Sequence, residues 1–282
     1  MSSERRQSVE ERADLGPELD GVHPVTEAEV GTFQRDGQVI IRGLASPTEV
    51  AAYRTLIEEA ALGTPKHAAS ADEGEVYAQA FDQYINLWQR DARVAAFTLS
   101  RRFARVAAAL LEASGVRLYH DQALFKQAGG GRTPWHQDMH YWPLSTDHAL
   151  TMWMPLVDLT PDMGELIFAA GSHHDGAMAD VPISGSSDAI LEKELATRGY
   201  PLKATGTMAA GDASFHASWT LHSASANRTG TQREVMTLIW FEDGARLIAP
   251  TNDGQRADLE NWFPGLMPGD LAASPLNPNP LD

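Results

Sequence analysis

The chain changes character near residue 115, and this change constrains its fold more than any other feature. Before that point, apolar residues recur at helical spacing after Thr26, over 46–63 and over Val94–Ala113. After it, short apolar or alternating stretches are separated by turns, which is typical of strands. The strands predicted there are Val116–Gln127, Ala149–Leu159, Met163–Phe168, Thr207–Phe215, Trp219–Ala224 and Glu234–Glu242. Helices followed by many short strands predict a mainly β fold, a cupin-like double-stranded β-helix (jelly roll) with flanking α-helices.

Composition narrows the classes of function. The chain has 38 acidic and 22 basic residues and a formal net charge of -16, which disfavours nucleic acid and anionic membrane surfaces as partners. It contains no cysteine, so a metal would have to bind histidine nitrogen and oxygen. Because no leader-like segment and no stretch of about 18 apolar residues occurs, we expect a cytoplasmic protein. Its expected partner is a small-molecule substrate, and the oligomeric state stays open.

The 282 residues are expected to form a single domain. Residues 1–22 are polar and are predicted to be a flexible N-terminal arm, while 23–264 form the jelly roll and 265–282 a loosely attached C-terminal tail. Residues 64–80 are small and polar and predict a loop near the site entrance. The acidic segment 174–202 is predicted to be irregular, either a solvated insertion or a lid over the site.

A stretch that mixes aromatic and metal-binding residues, Thr133 to Trp142, marks the expected functional site. It contains His136 and Asp138. On an extended strand these two side chains would project from the same face, close enough to share one metal ion. One further histidine would complete the two-histidine, one-carboxylate set that binds Fe(II) in non-haem oxygenases.

Three histidines compete for the third ligand position. His140 lies four residues beyond His136, about 13 Å along an extended strand, which is too far for both to bind one ion. His173 belongs to a second His-x-Asp sequence, but it follows Gly-Ser and is predicted to lie in a turn. His222 stands at the end of a predicted strand. Taken alone, it is more simply explained as a hydrogen-bonded core histidine.

The position of Arg233 favours His222 as the third metal ligand over a core histidine. It follows His222 by 11 residues, at the start of the next predicted strand. A short hairpin would return its guanidinium to the metal site, where it offers a planar fork to a carboxylate. A compound that chelates iron at one end and presents a second carboxylate at the other is 2-oxoglutarate.

At this point the chain, from about residue 33 to 242, resembles the phytanoyl-CoA dioxygenase family of Fe(II)/2-oxoglutarate-dependent oxygenases. Each matching feature is short, and the order and spacing of the set carry the resemblance. The features are Phe33-Gln34-Arg35-Asp36-Gly37 before a strand, Lys126, Pro134-Trp135-His136-Gln137-Asp138, Gly164-Glu165-Leu166 through Gly171-Ser172-His173, and His222 followed by Asn227-Arg228 and Arg233.

The resemblance implies roles for the residues singled out above. His136, Asp138 and His222 would bind Fe(II), and Arg233 would bind the distal carboxylate of 2-oxoglutarate. Because related halogenases replace the carboxylate ligand by a small residue, Asp138 argues against halogenation.

The resemblance also implies roles for neighbouring residues. Trp153 and Lys126 fall near positions where the family contacts the co-substrate. Many members carry a small hydroxyl residue two places after the distal histidine, where this chain has Ala224, so that contact is unassigned. The residues predicted to meet the substrate are His140, Tyr141 and Trp142.

The implied reaction uses O2 to oxidise an unactivated C–H bond and releases succinate and CO2. Hydroxylation is the default outcome, with epimerisation, desaturation or ring closure open. The acidic composition favours a small natural-product intermediate over a coenzyme A thioester, as in bacterial relatives that tailor secondary metabolites. Two alternatives remain, a zinc-dependent hydrolase with the same ligands and a non-catalytic jelly-roll binding protein.

Overall fold

Two antiparallel sheets form the centre of the protein, whose computed structural model describes residues 15–67, 80–179 and 182–282. The major sheet has six strands in the order β1-β8-β5-β10-β3-β2, and the minor sheet has four in the order β4-β9-β6-β7. The strands are β1 (Gln38–Ile41), β2 (Asp82–Ile85), β3 (Val116–Lys126), β4 (Thr133–His136), β5 (Ala149–Pro155), β6 (Leu166–Ala169), β7 (Leu202–Ala204), β8 (Ala213–Ala217), β9 (His222–Ala224) and β10 (Arg233–Glu242). This arrangement agrees with the predicted jelly roll.

The major sheet separates a helical layer from the space between the sheets, and strand β10 shows how its sequence does so. Met236, Leu238 and Trp240 are buried in the cluster that packs against the helices. Thr237 and Ile239, which alternate with them, line a cavity on the opposite face. Because successive side chains of a strand point to opposite faces, this alternation supplies a core on one side and a site wall on the other.

The helical layer begins where the sequence predicted. Thr26 and Ser46 each cap a helix through a capping box, in which the side chain accepts from the third backbone N–H while a glutamate returns to the cap. The helices that flank the major sheet are α1 (Glu27–Asp36), α2 (Pro47–Leu62), α3 (Ala92–Thr98) and α4 (Arg101–Leu110). No helix in the described ranges is long and apolar enough to cross a membrane.

The single helix expected over Val94–Ala113 is divided in two, which corrects that prediction. The break falls at Ser100, whose side chain accepts from the Phe103 N–H at 3.4 Å and so caps the second helix. The same hydroxyl donates to the Leu19 carbonyl at 2.8 Å. The backbone of a helix N-cap residue is not helical, so the chain changes direction at Ser100. The apolar residues nevertheless recur at helical spacing on both sides of this break.

The segment 174–202 is largely helical, so the prediction of an irregular segment is wrong. Helix α5 (Gly185–Arg198) follows Ser184, whose hydroxyl accepts from the Ser187 N–H at 3.1 Å. It ends at Gly199, which has φ of 68° and closes the helix in the left-handed conformation that glycine favours. A further helix, α6 (Asp253–Trp262), lies in a region for which the sequence indicated no element.

The ends of the chain differ from expectation where they are described. Residues 1–14 of the expected arm, and 68–79 of the expected entrance loop, lie outside the described residues. Leu19, however, is buried, and the Pro17 carbonyl accepts a hydrogen bond from the Tyr53 hydroxyl at 2.5 Å. An apolar side chain that fills a core position holds this part of the arm in place.

The tail expected to be loosely attached is packed against strand β3. Asn277 is fully buried, and its side-chain amide donates to the carbonyls of Leu118 and Tyr119 at 3.2 and 3.4 Å. Its side-chain oxygen accepts from the Ser274 hydroxyl at 2.6 Å. These bonds satisfy polar backbone groups that would otherwise be buried without partners, so the tail is a structural part of the domain.

Replacing Asn277 with alanine should therefore destabilise the whole domain. Leaving two buried carbonyls without donors is expected to lower the free energy of unfolding by about 2 kcal/mol. Urea denaturation would measure the change, with Asn279→Ala, whose bonds are exposed, as the control. Equal stabilities of the two variants would show that the tail contributes little.

Candidate active site

His136, Asp138 and His222 converge, and their ligand atoms lie within 4.8 Å of one another. The distance from His136 Nε2 to Asp138 Oδ1 is 3.6 Å, and that from His222 Nε2 to the same oxygen is 3.7 Å. Donors bound about 2.1 Å from one ion at right angles lie about 3 Å apart. A small contraction would therefore bring all three onto one metal ion.

Two different backbone conformations bring the ligands of the first motif together, and the extended strand assumed from the sequence is only half correct. Strand β4 ends at His136, which lies directly opposite His222 on β9. Asp138 begins a short 3₁₀-helix, Asp138–Tyr141. The turn folds the Asp138 carboxylate back toward the two imidazoles.

Both imidazoles are held in the orientation that a metal requires. His136 Nδ1 lies 2.8 Å from the Pro134 carbonyl, and His222 Nδ1 lies 2.9 Å from the Thr220 carbonyl. A carbonyl can only accept, so each Nδ1 carries the proton and each Nε2 keeps its lone pair for a ligand. In both histidines Nδ1 pairs with the carbonyl two residues earlier in the chain. In both, therefore, Nε2 is the nitrogen that can bind a metal ion.

The carboxylate of Asp138 is kept ionised by its surroundings. Burial by itself would raise the pKa of Asp138, but the imidazoles of His222, His216 and His136 hold that pKa well below its ordinary value. Burial also lowers the pKa of His222, so that ring stays neutral. An ionised aspartate and a neutral histidine are the protonation states in which these two residue types bind metal.

A cavity of about 880 Å³ opens onto these three residues. Its walls come from strands β2, β3, β5, β8 and β10 of the major sheet and from β4, β6 and β9 of the minor sheet. Helix α6 and the pair Pro182 and Ile183 complete it. The metal-binding cluster therefore lies between the two sheets, where a jelly roll can shield a reaction from water.

Arg233 lies in the same cavity wall and has the properties of an anion-binding residue. It is 1% exposed, and its guanidinium carbon lies 5.2 Å from the centre of the Trp153 ring. One Nη donates to the Gly164 carbonyl at 2.8 Å. Among the described residues, Nε has no hydrogen-bond partner and no carboxylate pairs with the guanidinium. Burial lowers the pKa of Arg233 to about 9, so an anion here would relieve an unfavourable charge.

The two further co-substrate positions from the sequence fall in different places. Trp153 lines the cavity, with its ring against Arg233. Lys126 is directly opposite Arg233 in the β3–β10 pair but does not line the cavity. Its Nζ donates to the carbonyls of Gly131 and Ser225 at 2.6 and 3.1 Å. Burial, with the charge of Arg233, lowers the pKa of Lys126 to about 6. Lys126 therefore binds backbone carbonyls in this structure.

The three residues expected to meet the substrate all line the cavity. His140 and Tyr141 meet edge to face, with ring centres 4.9 Å apart. The Tyr141 hydroxyl accepts from the Ile183 N–H at 2.8 Å, which joins it to the 174–202 segment. Trp142 is almost wholly buried and packs against Tyr119, with ring centres 5.5 Å apart. His140 and Tyr141 thus form part of the cavity wall, while Trp142 belongs mostly to the hydrophobic core.

Sequence reasoning missed several residues around the metal-binding cluster. Thr151 on β5 and His216 on β8 both contact the Asp138 carboxylate. Thr133 lines the cavity opposite Ala224, and its buried hydroxyl has no partner among the described residues. His216 lies one residue beyond the predicted strand Thr207–Phe215, and no motif in the sequence marked it.

The wall built by α6 was also missed, because no period in the sequence marked it. Trp262 stacks against His120 with ring centres 5.1 Å apart, and both line the cavity. Burial lowers the pKa of His120 to about 3, so its imidazole is neutral. Asp258 accepts from the Tyr119 hydroxyl at 2.6 Å and from Trp262 Nε1 at 3.1 Å. The bond from Tyr119 holds the helix against strand β3, while the bond from Trp262 lies within the helix.

The second His-x-Asp sequence lies elsewhere. His173 is in a short 3₁₀-helix, Ser172–Asp175, and its Nε2 lies 3.1 Å from the Gln34 carbonyl. Among the described residues, the metal-binding cluster contains only His136, Asp138 and His222.

Two imidazoles that face one ionised carboxylate fit Fe(II), which accepts this set with its other coordination positions open. The buried guanidinium of Arg233, with its unpartnered Nε, fits one carboxylate of a dicarboxylic acid. Both features open onto the same cavity.

Solved structures of similar fold are iron and 2-oxoglutarate enzymes. The carbocyclase SnoK from nogalamycin biosynthesis has a TM-score of 0.73 and 24% identity, over 92% of this chain and 99% of that chain. The epimerase SnoN, in complex with Fe3+, α-ketoglutarate and nogalamycin RO, has a TM-score of 0.74 and 24% identity, over 90% and 98%. EctD from S. alaskensis has a TM-score of 0.64 and 22% identity, over 82% and 83%. These likenesses confirm the predicted jelly-roll fold.

The sequence itself places the chain in a family. A comparison with curated protein sequences finds no significant match. The family profile of phytanoyl-CoA dioxygenase (PhyH), however, matches residues 33–235, which contain all three residues of the metal-binding cluster and Arg233. The match covers most of the chain and confirms the resemblance inferred from the sequence: this protein is a member of the phytanoyl-CoA dioxygenase family.

Proposed function

We propose that this protein is an Fe(II)/2-oxoglutarate-dependent dioxygenase that oxidises an unactivated C–H bond of a small organic substrate. The observation that carries the proposal is the pairing of two features in one cavity. His136 and His222 present Nε2 to one oxygen of Asp138. Arg233 offers a buried guanidinium that pairs with no carboxylate in the described part of the chain and whose Nε has no hydrogen-bond partner there.

Each of these residues has a separate task. His136, Asp138 and His222 would hold Fe(II), and Arg233 would bind and orient the distal carboxylate of 2-oxoglutarate through its planar fork. Trp153 covers the guanidinium and keeps water away from that ion pair. When bound, Fe(II) and 2-oxoglutarate activate O2 for oxidation of the substrate, with release of succinate and CO2.

The cavity favours a small natural-product intermediate as the substrate. Its volume of about 880 Å³ is within the range of pockets that enclose drug-sized molecules. Asp253 and Asp258 lie in its outer wall beside Arg256, so the wall has little to offer a run of phosphates. SnoK and SnoN come from nogalamycin biosynthesis, and their fold supports the same substrate class here. Hydroxylation, epimerisation, desaturation and ring closure are all compatible with this site.

We also propose that the segment 174–202 acts as a lid. Pro182 and Ile183 line the cavity. Gln137, which stands between two residues of the metal-binding cluster, donates to the Gly176 carbonyl at 2.9 Å and accepts from the Met178 N–H at 2.9 Å. The position of the lid is thereby linked to the metal-binding strand.

Asp188 is expected to be the main anchor of this lid. Its carboxylate accepts from the Trp135 N–H at 3.0 Å and from the Arg132 guanidinium. Asp188→Ala should loosen helix α5 and accelerate tryptic cleavage at Lys193 and Arg198 by about tenfold, which corresponds to about 1.4 kcal/mol of local stability.

The matched control for this experiment is Glu192→Ala. Glu192 meets the same arginine at 3.2 Å, but the contact is exposed and should contribute little. Cleavage rates would be measured by mass spectrometry. Equal rates for wild type and Asp188→Ala would contradict the anchoring of the lid by Asp188.

The proposed function is tested most directly under anaerobic conditions. Wild-type protein mixed with Fe(II) and 2-oxoglutarate should develop the weak visible charge-transfer band expected near ~500 nm for this chelate. Admission of O2 should then release succinate, and a panel of candidate metabolites should identify compounds that accelerate the release.

The alternatives predict different results. A zinc-dependent hydrolase would bind Zn²⁺ tightly and show no band, and it would have no use for an unpaired guanidinium in the cavity. A non-catalytic binding protein would show neither the band nor succinate release. Either result would reject the proposal.

A further inference from the structure

The carboxylate of Asp138 uses its two oxygens differently. Oδ1 faces the metal-binding nitrogens of His136 and His222. Oδ2 accepts a hydrogen bond from the Thr151 hydroxyl at 2.7 Å and lies 3.2 Å from His216 Nε2. One oxygen is therefore left for a metal ion, while the other is bound within the protein.

The two groups that hold Oδ2 are a matched pair on neighbouring strands. Thr151 on β5 and His216 on β8 lie directly opposite each other in the major sheet. Both are buried. The Asp138 carboxylate comes from the turn after β4 of the minor sheet. These contacts join the two sheets at the metal-binding cluster and fix the rotation of the carboxylate.

The histidine of this pair is arranged to donate. His216 Nδ1 has no hydrogen-bond partner among the described residues. The ionised Asp138 carboxylate can only accept, so His216 Nε2 carries the proton of this hydrogen bond. The ring lies between Phe168 and His222, with centres 5.4 and 4.3 Å away. This packing keeps Nε2 directed at the carboxylate.

We propose that Thr151 and His216 are positioning residues that hold Oδ2 of Asp138, so that this carboxylate binds the metal through Oδ1 alone. The inference rests on the metal site of the proposed function. It matters because an octahedral ion with three protein donors and a chelating co-substrate has one position left. A carboxylate bound through both oxygens would take that position.

The test uses Co(II) binding, without co-substrate or turnover. Thr151→Val keeps the shape of the side chain but removes the donor. Loss of such an outer partner typically costs about 10–100-fold in metal affinity, so we expect Co(II) to bind at least about tenfold more weakly. The visible absorption spectrum of bound Co(II) should also change, because Oδ2, once released, can take a coordination position that the wild type leaves to solvent.

Conservative variants separate hydrogen bonding from packing. Thr151→Ser keeps the hydroxyl and should retain the wild-type Co(II) affinity and spectrum. At the second position, His216→Phe should behave like Thr151→Val, and His216→Gln, which keeps an N–H donor, should recover part of the affinity. Thermal unfolding would confirm that each variant is folded, and if one of the donor-free variants does not fold, the other decides.

The neighbouring strand β10 offers a control with the same type of side chain. Thr237 also lines the cavity, but its hydroxyl donates to the Gln122 carbonyl at 3.2 Å. Thr237→Val should therefore bind Co(II) as the wild type does. The inference is overturned if Thr151→Val and His216→Phe bind Co(II) with wild-type affinity and spectrum, or if Thr151→Ser loses as much affinity as Thr151→Val.

Failure of this inference can be distinguished from failure of the proposed function. If the protein is not a 2-oxoglutarate-dependent enzyme, wild type shows no charge-transfer band, whatever the Co(II) affinities are. If only the inference fails, the band is present and the substitutions at Thr151 and His216 leave metal binding unchanged.

Discussion

His136→Ala should abolish both the Fe(II)/2-oxoglutarate charge-transfer band and succinate release. The substitution removes one of two neutral nitrogens that face Asp138 Oδ1, and neither solvent nor His140, on the following 3₁₀-helix, offers an equivalent donor at that position. The loss of metal affinity should exceed the roughly 10–100-fold that follows removal of an outer hydrogen-bonding partner.

The control for this variant comes from the second His-x-Asp sequence. His173→Ala removes a histidine that bonds the Gln34 carbonyl away from the metal-binding cluster. It should keep the band and the Fe(II) affinity of the wild type. Anaerobic titration with Fe(II) at fixed 2-oxoglutarate would measure both. If His136→Ala retains the band, or His173→Ala loses it, the ligand assignment is incorrect.

Arg233→Ala is expected to have the second largest effect, and it should act on the co-substrate. Truncation of one partner in a buried charge pair typically costs about 2–5 kcal/mol. At about 1.4 kcal/mol per tenfold, 2-oxoglutarate should bind about 30- to 3000-fold more weakly. Binding of Fe(II) should be retained, because Arg233 is not part of the metal-binding cluster.

Two further variants sharpen this result. Arg233→Lys keeps a positive charge but loses the planar fork, so its affinity should lie between those of wild type and Arg233→Ala. Arg228, five residues earlier in the chain and exposed, provides the control, and Arg228→Ala should bind 2-oxoglutarate normally. Titration of 2-oxoglutarate into the anaerobic Fe(II) protein would give these affinities. Equal loss of Fe(II) and 2-oxoglutarate binding in Arg233→Ala would reject its assigned role.

Local sequence patterns predicted those elements whose signals are themselves local. The caps at Thr26 and Ser46 act within one helical turn, and the alternation along β10 follows from strand geometry, so both could be found without knowledge of the fold. The same reasoning failed over Val94–Ala113, because a helical period does not report a change of direction at Ser100.

The candidate site shows the same limit of local sequence patterns over a few residues. The exclusion of His140 as a ligand assumed an extended strand, yet the chain turns into a 3₁₀-helix at Asp138. The structure still keeps His140 out of the metal-binding cluster, but the reason is the direction of that turn. Neighbouring side chains and backbone bonds determine such a turn, and the spacing of His136 and Asp138 alone does not.

The family, the jelly-roll class and the residues that the proposed chemistry needs most could all be predicted from the order of residues along the chain. A His-x-Asp pair, a later histidine and an arginine 11 residues beyond it are features of chain order, which folding does not alter. The family profile matches residues 33–235, a range that contains all of these features.

The surroundings of those residues could not be predicted and became visible only in the folded protein. Thr151 and His216 are 65 positions apart in the chain and become a pair because β5 and β8 align in one register. Helix α6 and the segment 174–202 become cavity walls because they pack over the open side of the sheets. Such contacts depend on how distant segments meet, and the physical reason is that register and packing are set by the whole core rather than by local spacing.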